Sequence, residues 1–152
     1  MNNTIEIIDN NEDIQSKIYS IRGLQVMIDR DLAEIYNVET KRLNEQVRRN
    51  IKRFPEKFRF QLNEKDKNEL VANCDRFKTL KHSTSFPYVF TEQGVSMLSA
   101  VLKSDIAIEI SIKIMDSFVN MRTFISSNNE LFKWFAFSRI GIDAGDILKK
   151  LK

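Results

Sequence analysis

DRDLAEIYNVETKRLNEQVRRNIKRF, residues 29–54, is the stretch from which the rest of the chain can be read. Leu32 and Tyr36 lie four residues apart and give a short first helix, Arg30–Tyr36, an apolar face, with Asp29 ahead of it as a candidate N-cap. Ala33 is small enough to let a second helix come close. Asn37 stands at the break, and asparagine tolerates positive φ better than most residues other than glycine. Val38 follows as an apolar plug, and Thr40 is placed to cap a second helix running to about Lys52. Leu43, Val47 and Ile51 recur at i, i+4 and i+8 and define the buried side of that helix. Two short helices, a turn through the left-handed region and a plug are the parts of a helix-turn-helix.

The side of the second helix opposite its apolar stripe carries Lys41, Arg42, Glu45, Arg48, Arg49 and Lys52, five of these six being basic. Asn44 and Gln46 flank that face. Lysine and arginine neutralise backbone phosphates, and amide or guanidinium groups match the donor and acceptor pattern of the major groove. The first turns of a recognition helix normally reach the bases. Thr40, Lys41, Arg42, Asn44 and Glu45 are therefore expected at the groove floor, and Arg48, Arg49, Lys52 and Arg53 on phosphates. Charge distribution points the same way. From Lys41 to Arg59 there are eight basic and two acidic residues, a net +6, while the whole chain is +3, so the remainder sums to −3. A solvated helix face accounts for many charge runs, but this run coincides with the face that a recognition helix presents to a polyanion.

Working outward, Tyr19–Ile21 and Leu24–Ile28 read as two strands turning at Arg22-Gly23, and Ile5–Ile8 as an edge strand in a polar lead-in, residues 1–17. Phe58–Leu62 alternates as a strand does. Asn63 is placed to cap a helix at about Glu64–Asn73, residues 74–87 read as a loop, and Tyr88–Phe90 as a short strand. Thr91 can cap a helix from Glu92 to about Leu102. The fold class expected is α+β and mainly helical: a small antiparallel sheet, from the hairpin, 58–62 and 88–90, supports the helix-turn-helix. A DNA-binding domain over 18–103 is expected to lead into a long helix, 104–126, and a partly helical tail, 127–152.

The stretch IRGLQVMIDRDLAEIYNVETKRLNEQVRRNIKRFPEKFRFQL, with Phe90-Thr91-Glu92-Gln93-Gly94-Val95 and Met97-Leu98 further on, resembles the ORF6N domain of phage and prophage proteins, a relative of the KilA-N and BRO-N families. The likeness rests on Ile21-Arg22-Gly23, Asp31-Leu32-Ala33, Tyr36, Val38-Glu39-Thr40-Lys41, Leu43-Asn44, Val47, Arg49-Asn50, Arg53-Phe54-Pro55 and Phe58-Arg59-Phe60-Gln61-Leu62, and extends over about residues 18 to 122. It implies sequence-specific binding of double-stranded DNA in phage gene regulation, of an antirepressor-like kind. The alternative within that role is an antirepressor that sequesters a repressor protein without binding DNA.

The long helix is apolar on two stripes. Ile106, Ile110, Ile114, Phe118, Met121 and Ile125 form one, and Ile108, Ile112, Met115 and Val119 the other. A helix buried on both sides accounts for this, and so does a homodimer in which the second stripe meets a partner copy. Phe132, Trp134, Phe135 and Phe137 could extend that interface. Other classes find little support. One cysteine, Cys74, allows no internal disulfide, and one histidine, His82, has no metal-ligand partner at useful spacing. Asp29 with Asp31, and Glu64 with Asp66, sit at helix starts, where capping accounts for them. Gly23 and Gly94 are isolated and form no phosphate loop. No nucleophile–base pairing, cofactor motif, signal peptide or membrane span is legible, so the expectation is a non-enzymatic protein of the cytoplasm, associated with the nucleoid.

Overall fold

In the computed structural model, which describes residues 14–73 and 85–127, strands β1 (Tyr19–Ile21) and β2 (Leu24–Ile28) pair antiparallel around Arg22-Gly23. Both turn residues have positive φ, 55° and 75°, the pair that a type I′ hairpin requires. The expected strand at Ile5–Ile8, Cys74, His82 and the aromatic tail lie outside the described residues. After β2 come α1 (Asp29–Tyr36), α2 (Thr40–Arg49), a 3-10 turn (Ile51–Arg53), β3 (Arg59–Gln61) and α3 (Glu64–Asn73). Then follow β4 (Tyr88–Thr91), α4 (Glu92–Leu102) and α5 (Asp105–Ser127). The chain is thus mainly helical with one small sheet, as expected.

The four strands run antiparallel in the order β1-β2-β4-β3. Burial separates the inner strands from the outer ones. Val26, Met27 and Ile28 of β2 and Val89 and Phe90 of β4 are all buried although successive residues point to opposite faces, so the centre of the sheet is covered on both sides. The edge strand β1 instead alternates, with Tyr19 and Ile21 buried and Ser20 exposed. β3 is one residue shorter at each end than its alternation suggests, because Phe58 is taken into a turn closed by its N–H on the Pro55 carbonyl, and Leu62 N–H donates to Pro87 O beyond the ladder.

The chain divides into two compact units. One comprises residues up to 62 together with 87–120 and carries the sheet, α1, α2, α4 and most of α5. In it, α1 lies against β2, β4 and α2, and α2 also packs on α4. The other comprises 63–86 and the residues from 121 onward. It includes α3, which begins with a reciprocal cap: Asp66 N–H donates to Asn63 Oδ1 and Asn63 N–H to Asp66 Oδ2, both at 2.9 Å.

The Phe90–Val95 motif has a packing reason. Thr91 Oγ1 accepts from Gly94 N–H at 3.3 Å and caps α4, while Thr91 N–H and Oγ1 both donate to Phe58 O. The first turn of α4 is thereby drawn onto the backbone at Phe58. A Cβ at position 94 would lie 2.2 Å from Phe58 O, so only glycine fits.

α5 departs from expectation in which face it buries. Ala107, Ser111, Ile114, Ser117 and Phe118 are inward, while Ile106, expected to join the buried stripe, is 68% exposed. Two serines on the inner face allow close approach, and Ser111 anchors it: its hydroxyl and that of Tyr36 on α1 share a buried hydrogen bond of 2.6 Å. Burial pushes the Tyr36 phenol up to about 12, with the Ser111 bond opposing in part. No helix among the described residues is long and apolar enough to cross a membrane.

Candidate nucleic-acid interface

The turn between α1 and α2 closes as its sequence suggests. Asn37 adopts φ 57° and ψ 46°, in the left-handed region. Its N–H donates to Glu34 O at 3.1 Å and that of Val38 to Ala33 O at 2.9 Å, the paired bonds of a Schellman ending. Ala33 is fully inside and Val38 half-buried, so small residue and plug occupy their expected places. The two helix starts differ from expectation. Ile28 and Glu39 hold the N-cap positions without side-chain bonds, and Asp29 and Thr40 are the first helical residues.

Leu43 and Val47 are completely buried and set the orientation of α2. The helix ends at Arg49, earlier than the Lys52 expected. At Asn50 the side-chain Nδ2 donates to Gln46 O, the i−4 carbonyl that the backbone N–H would otherwise bond, and that N–H turns to Val47 O. Ile51, expected as the third member of the apolar stripe, is consequently 51% exposed, and Lys52 and Arg53 project from a 3-10 turn instead of from the helix.

Of the residues expected on the groove side, Lys41, Arg42, Glu45, Arg48 and Arg49 are exposed on α2, Lys52 and Arg53 are exposed just beyond it, and Thr40 is half-buried. Glu39, Lys41, Arg42, Glu45, Gln46 and Arg49 line a shallow depression of about 340 Å³. Arg49 Nη2 reaches Glu45 Oε1 at 3.2 Å, an exposed i, i+4 pair of the kind that contributes little to stability. The pair leaves Lys41, Arg42 and Arg48 as a net positive surface.

Asn44 requires a correction. It was expected at the groove floor, but its Nδ2 donates to Asp29 Oδ2 at 2.9 Å, and its Oδ1 is shielded from solvent. Its amide therefore faces the root of α1 and not outward. Asp29 is buried and is a hub: its Oδ1 accepts from Arg30 N–H at 2.7 Å, and its Oδ2 also takes a long contact, 3.4 Å, from Tyr88 N–H on β4. Asn44 thus ties α2 to the start of α1 and to the sheet. Gln46, on the other flank, remains beside the depression and is the amide available there.

Sequence reading did not single out Arg59. On the edge strand β3, its guanidinium lies over the Tyr88 ring, 3.6 Å from the centroid. Burial lowers its pKa, Tyr88 and Asp29 beside it raise it, and the Arg48 charge lowers it. The usable signal was a basic residue at an alternate position of a strand that directly follows the basic helix. The residues expected at a dimer interface lie on the outer face of α5, with Ile108, Ile112 and Val119 exposed and Met115 half-buried.

The family model described as the ORF6N domain matches residues 16–101, more than half of the chain. Neither a curated protein nor a solved structure matches it.

Proposed function

The chain belongs to the ORF6N domain family, and on that premise we propose that it binds duplex DNA through the exposed face of α2 and serves gene regulation of the phage or prophage type. The observation that carries this reading is the inversion of chemistry across α2. Leu43 and Val47 are wholly buried, while Lys41, Arg42, Arg48 and Arg49 stand on the opposite side, behind a turn fixed by Asn37. A short helix so presented fits the major groove, and its cations meet the flanking phosphates. With Asn44 turned inward, base reading falls to Lys41, Arg42, Glu45 and Gln46. Arg48, Arg49, Lys52 and Arg53 are assigned to phosphates. The activity is binding and not catalysis.

A second copy of the chain is proposed to pair through Ile108, Ile112, Met115 and Val119, so that two α2 helices address two half-sites. The reading is tested by selecting bound sequences from a pool of random duplex DNA. Enrichment of a short motif, lost when Lys41 and Arg42 are both changed to alanine in a chain that still folds, supports it. Recovery of no sequence above the unselected pool contradicts it.

A further inference from the structure

We propose that Arg59 of β3 and Arg48 of α2 hold one DNA backbone phosphate between them, so that the edge of the sheet extends the binding surface of the helix. This rests on the duplex-binding reading above and names a contact that α2 alone does not supply.

Geometry brings the two arginines to one place. Asn44 Nδ2 and Tyr88 N–H converge on the same oxygen of Asp29, at 2.9 and 3.4 Å, which draws the Asn44 flank of α2 against β4. Arg48 is the next residue along that flank, one helical turn on from Asn44. Arg59 approaches the same junction from β3, its guanidinium over the Tyr88 ring, 3.6 Å from the centroid. Burial disfavours the charged form of Arg59, Tyr88 and Asp29 beside it favour that form, and the Arg48 charge disfavours it.

Asp29 beside Arg59 favours its charged form, but its oxygens are engaged by Arg30 N–H, Asn44 Nδ2 and Tyr88 N–H. Neither Arg48 nor Arg59 forms an ion pair with Asp29 or with any other carboxylate among the described residues. A phosphodiester supplies what is lacking: one negative charge and two unesterified oxygens, each able to accept from a planar guanidinium. Stacking on Tyr88 fixes the plane of Arg59 beforehand, which reduces the side-chain freedom lost on capture. Lysine could offer the charge there but not the stacked fork.

The test measures affinity of the full chain for a mixed-sequence 30-base-pair duplex across a salt series, for wild type, Arg48→Gln, Arg59→Gln and the double variant, with thermal melts as a check of folding. Each single change is expected to weaken binding by about three- to tenfold, since the other arginine still holds the phosphate. The double change is expected to lower the steepness of log K against log salt by about 0.9, the value for one phosphate. Additive losses, with a fall of about 1.8 in the double variant, would mean two independent phosphates and overturn the shared clamp. An Arg59→Gln chain that folds and binds like wild type would overturn it too, leaving Arg59 as a packing residue. Should Arg59→Gln fail to fold, Arg59→Lys replaces it: the expected result is the wild-type salt steepness with affinity lowered several-fold, and unchanged affinity overturns the stacked fork. Wild type that shows no salt-dependent binding would instead defeat the duplex-binding reading itself.

Discussion

Helices α2 and α5 differ in what they leave outside. α2 buries leucine and valine and shows arginine and lysine to water. α5 buries Ala107, Ser111 and Ser117 together with Ile114 and Phe118, yet shows isoleucine and valine to water. In α2 the apolar residues are few and occupy one stripe, so hydrophobic burial alone fixes its orientation. In α5 apolar residues lie on nearly all sides, and burial of any face would satisfy the hydrophobic effect about equally. Close approach and a specific polar bond then decide. Ser111 meets Tyr36, and the small residues around it turn inward, leaving a large apolar surface outside. The exposed charges of α2 are solvated at little cost, whereas the exposed isoleucines of α5 keep apolar surface in water.

The largest contrast should appear on truncating equivalent side chains. Leu43→Ala removes a fully buried side chain and is expected to cost about 2–5 kcal/mol in denaturant unfolding. Ile112→Ala, on the exposed face of α5, should stay within about 0.5 kcal/mol when measured at a concentration where the chain is monomeric. Equal losses would erase the distinction between the two helices.

The burial of the Tyr36 phenol, whose hydroxyl Ser111 meets, can be tested by pH. The phenol of Tyr36 ionises near 10 in the unfolded chain and at about 12 in the folded one. The folded state therefore favours the neutral phenol. This contribution is complete below pH 10 and is lost between pH 10 and 12, amounting to about 2–3 kcal/mol. Tyr36→Phe should unfold with a flatter pH dependence across that window. A variant whose stability falls as steeply as wild type from pH 10 to 12 would remove Tyr36 from the account.

Sequence periodicity was enough to recover the two helices α1 and α2 and the turn between them, down to the left-handed Asn37, because every cue there is local: spacing, a small residue, a residue suited to positive φ. The order of elements and the hairpin turn were legible for the same reason. What could not be read depends on long-range partners. Nothing near Asn44 in the chain announces that Asp29 will claim its amide, and nothing near Ser111 announces Tyr36. The early end of α2 lies between these cases, since Asn50 had the chemistry to intercept the Gln46 carbonyl but the apolar Ile51 suggested another turn. The placement of Arg59 on Tyr88 required the strand order β4-β3, which periodicity does not contain.

The revised role of Asn44 separates it from Gln46. Asn44→Ala should cost about 1–2 kcal/mol of stability, because the buried Asp29 loses a donor, and should weaken binding to all duplexes alike. Gln46→Ala should change which bases are preferred with stability altered by less than about 0.5 kcal/mol. Altered preference with Asn44→Ala and none with Gln46→Ala would return the base-reading role to Asn44. On the outer face of α5 the smallest change in folding stability is expected. The double variant Ile108→Glu, Ile112→Glu should remain folded by circular dichroism and sediment as a monomer, binding DNA less tightly because it meets one half-site. A wild-type chain that is itself monomeric at tens of micromolar would dispose of the pairing.

The central claim, that α2 shows a basic face for duplex DNA, is tested most directly by the salt dependence of binding to a duplex, followed by fluorescence anisotropy. With Arg48, Arg49, Lys52 and Arg53 on phosphates, about four phosphates are neutralised, and log K should fall against log salt with a slope of about −3 to −4. A slope near zero, or no binding at low salt, would contradict it.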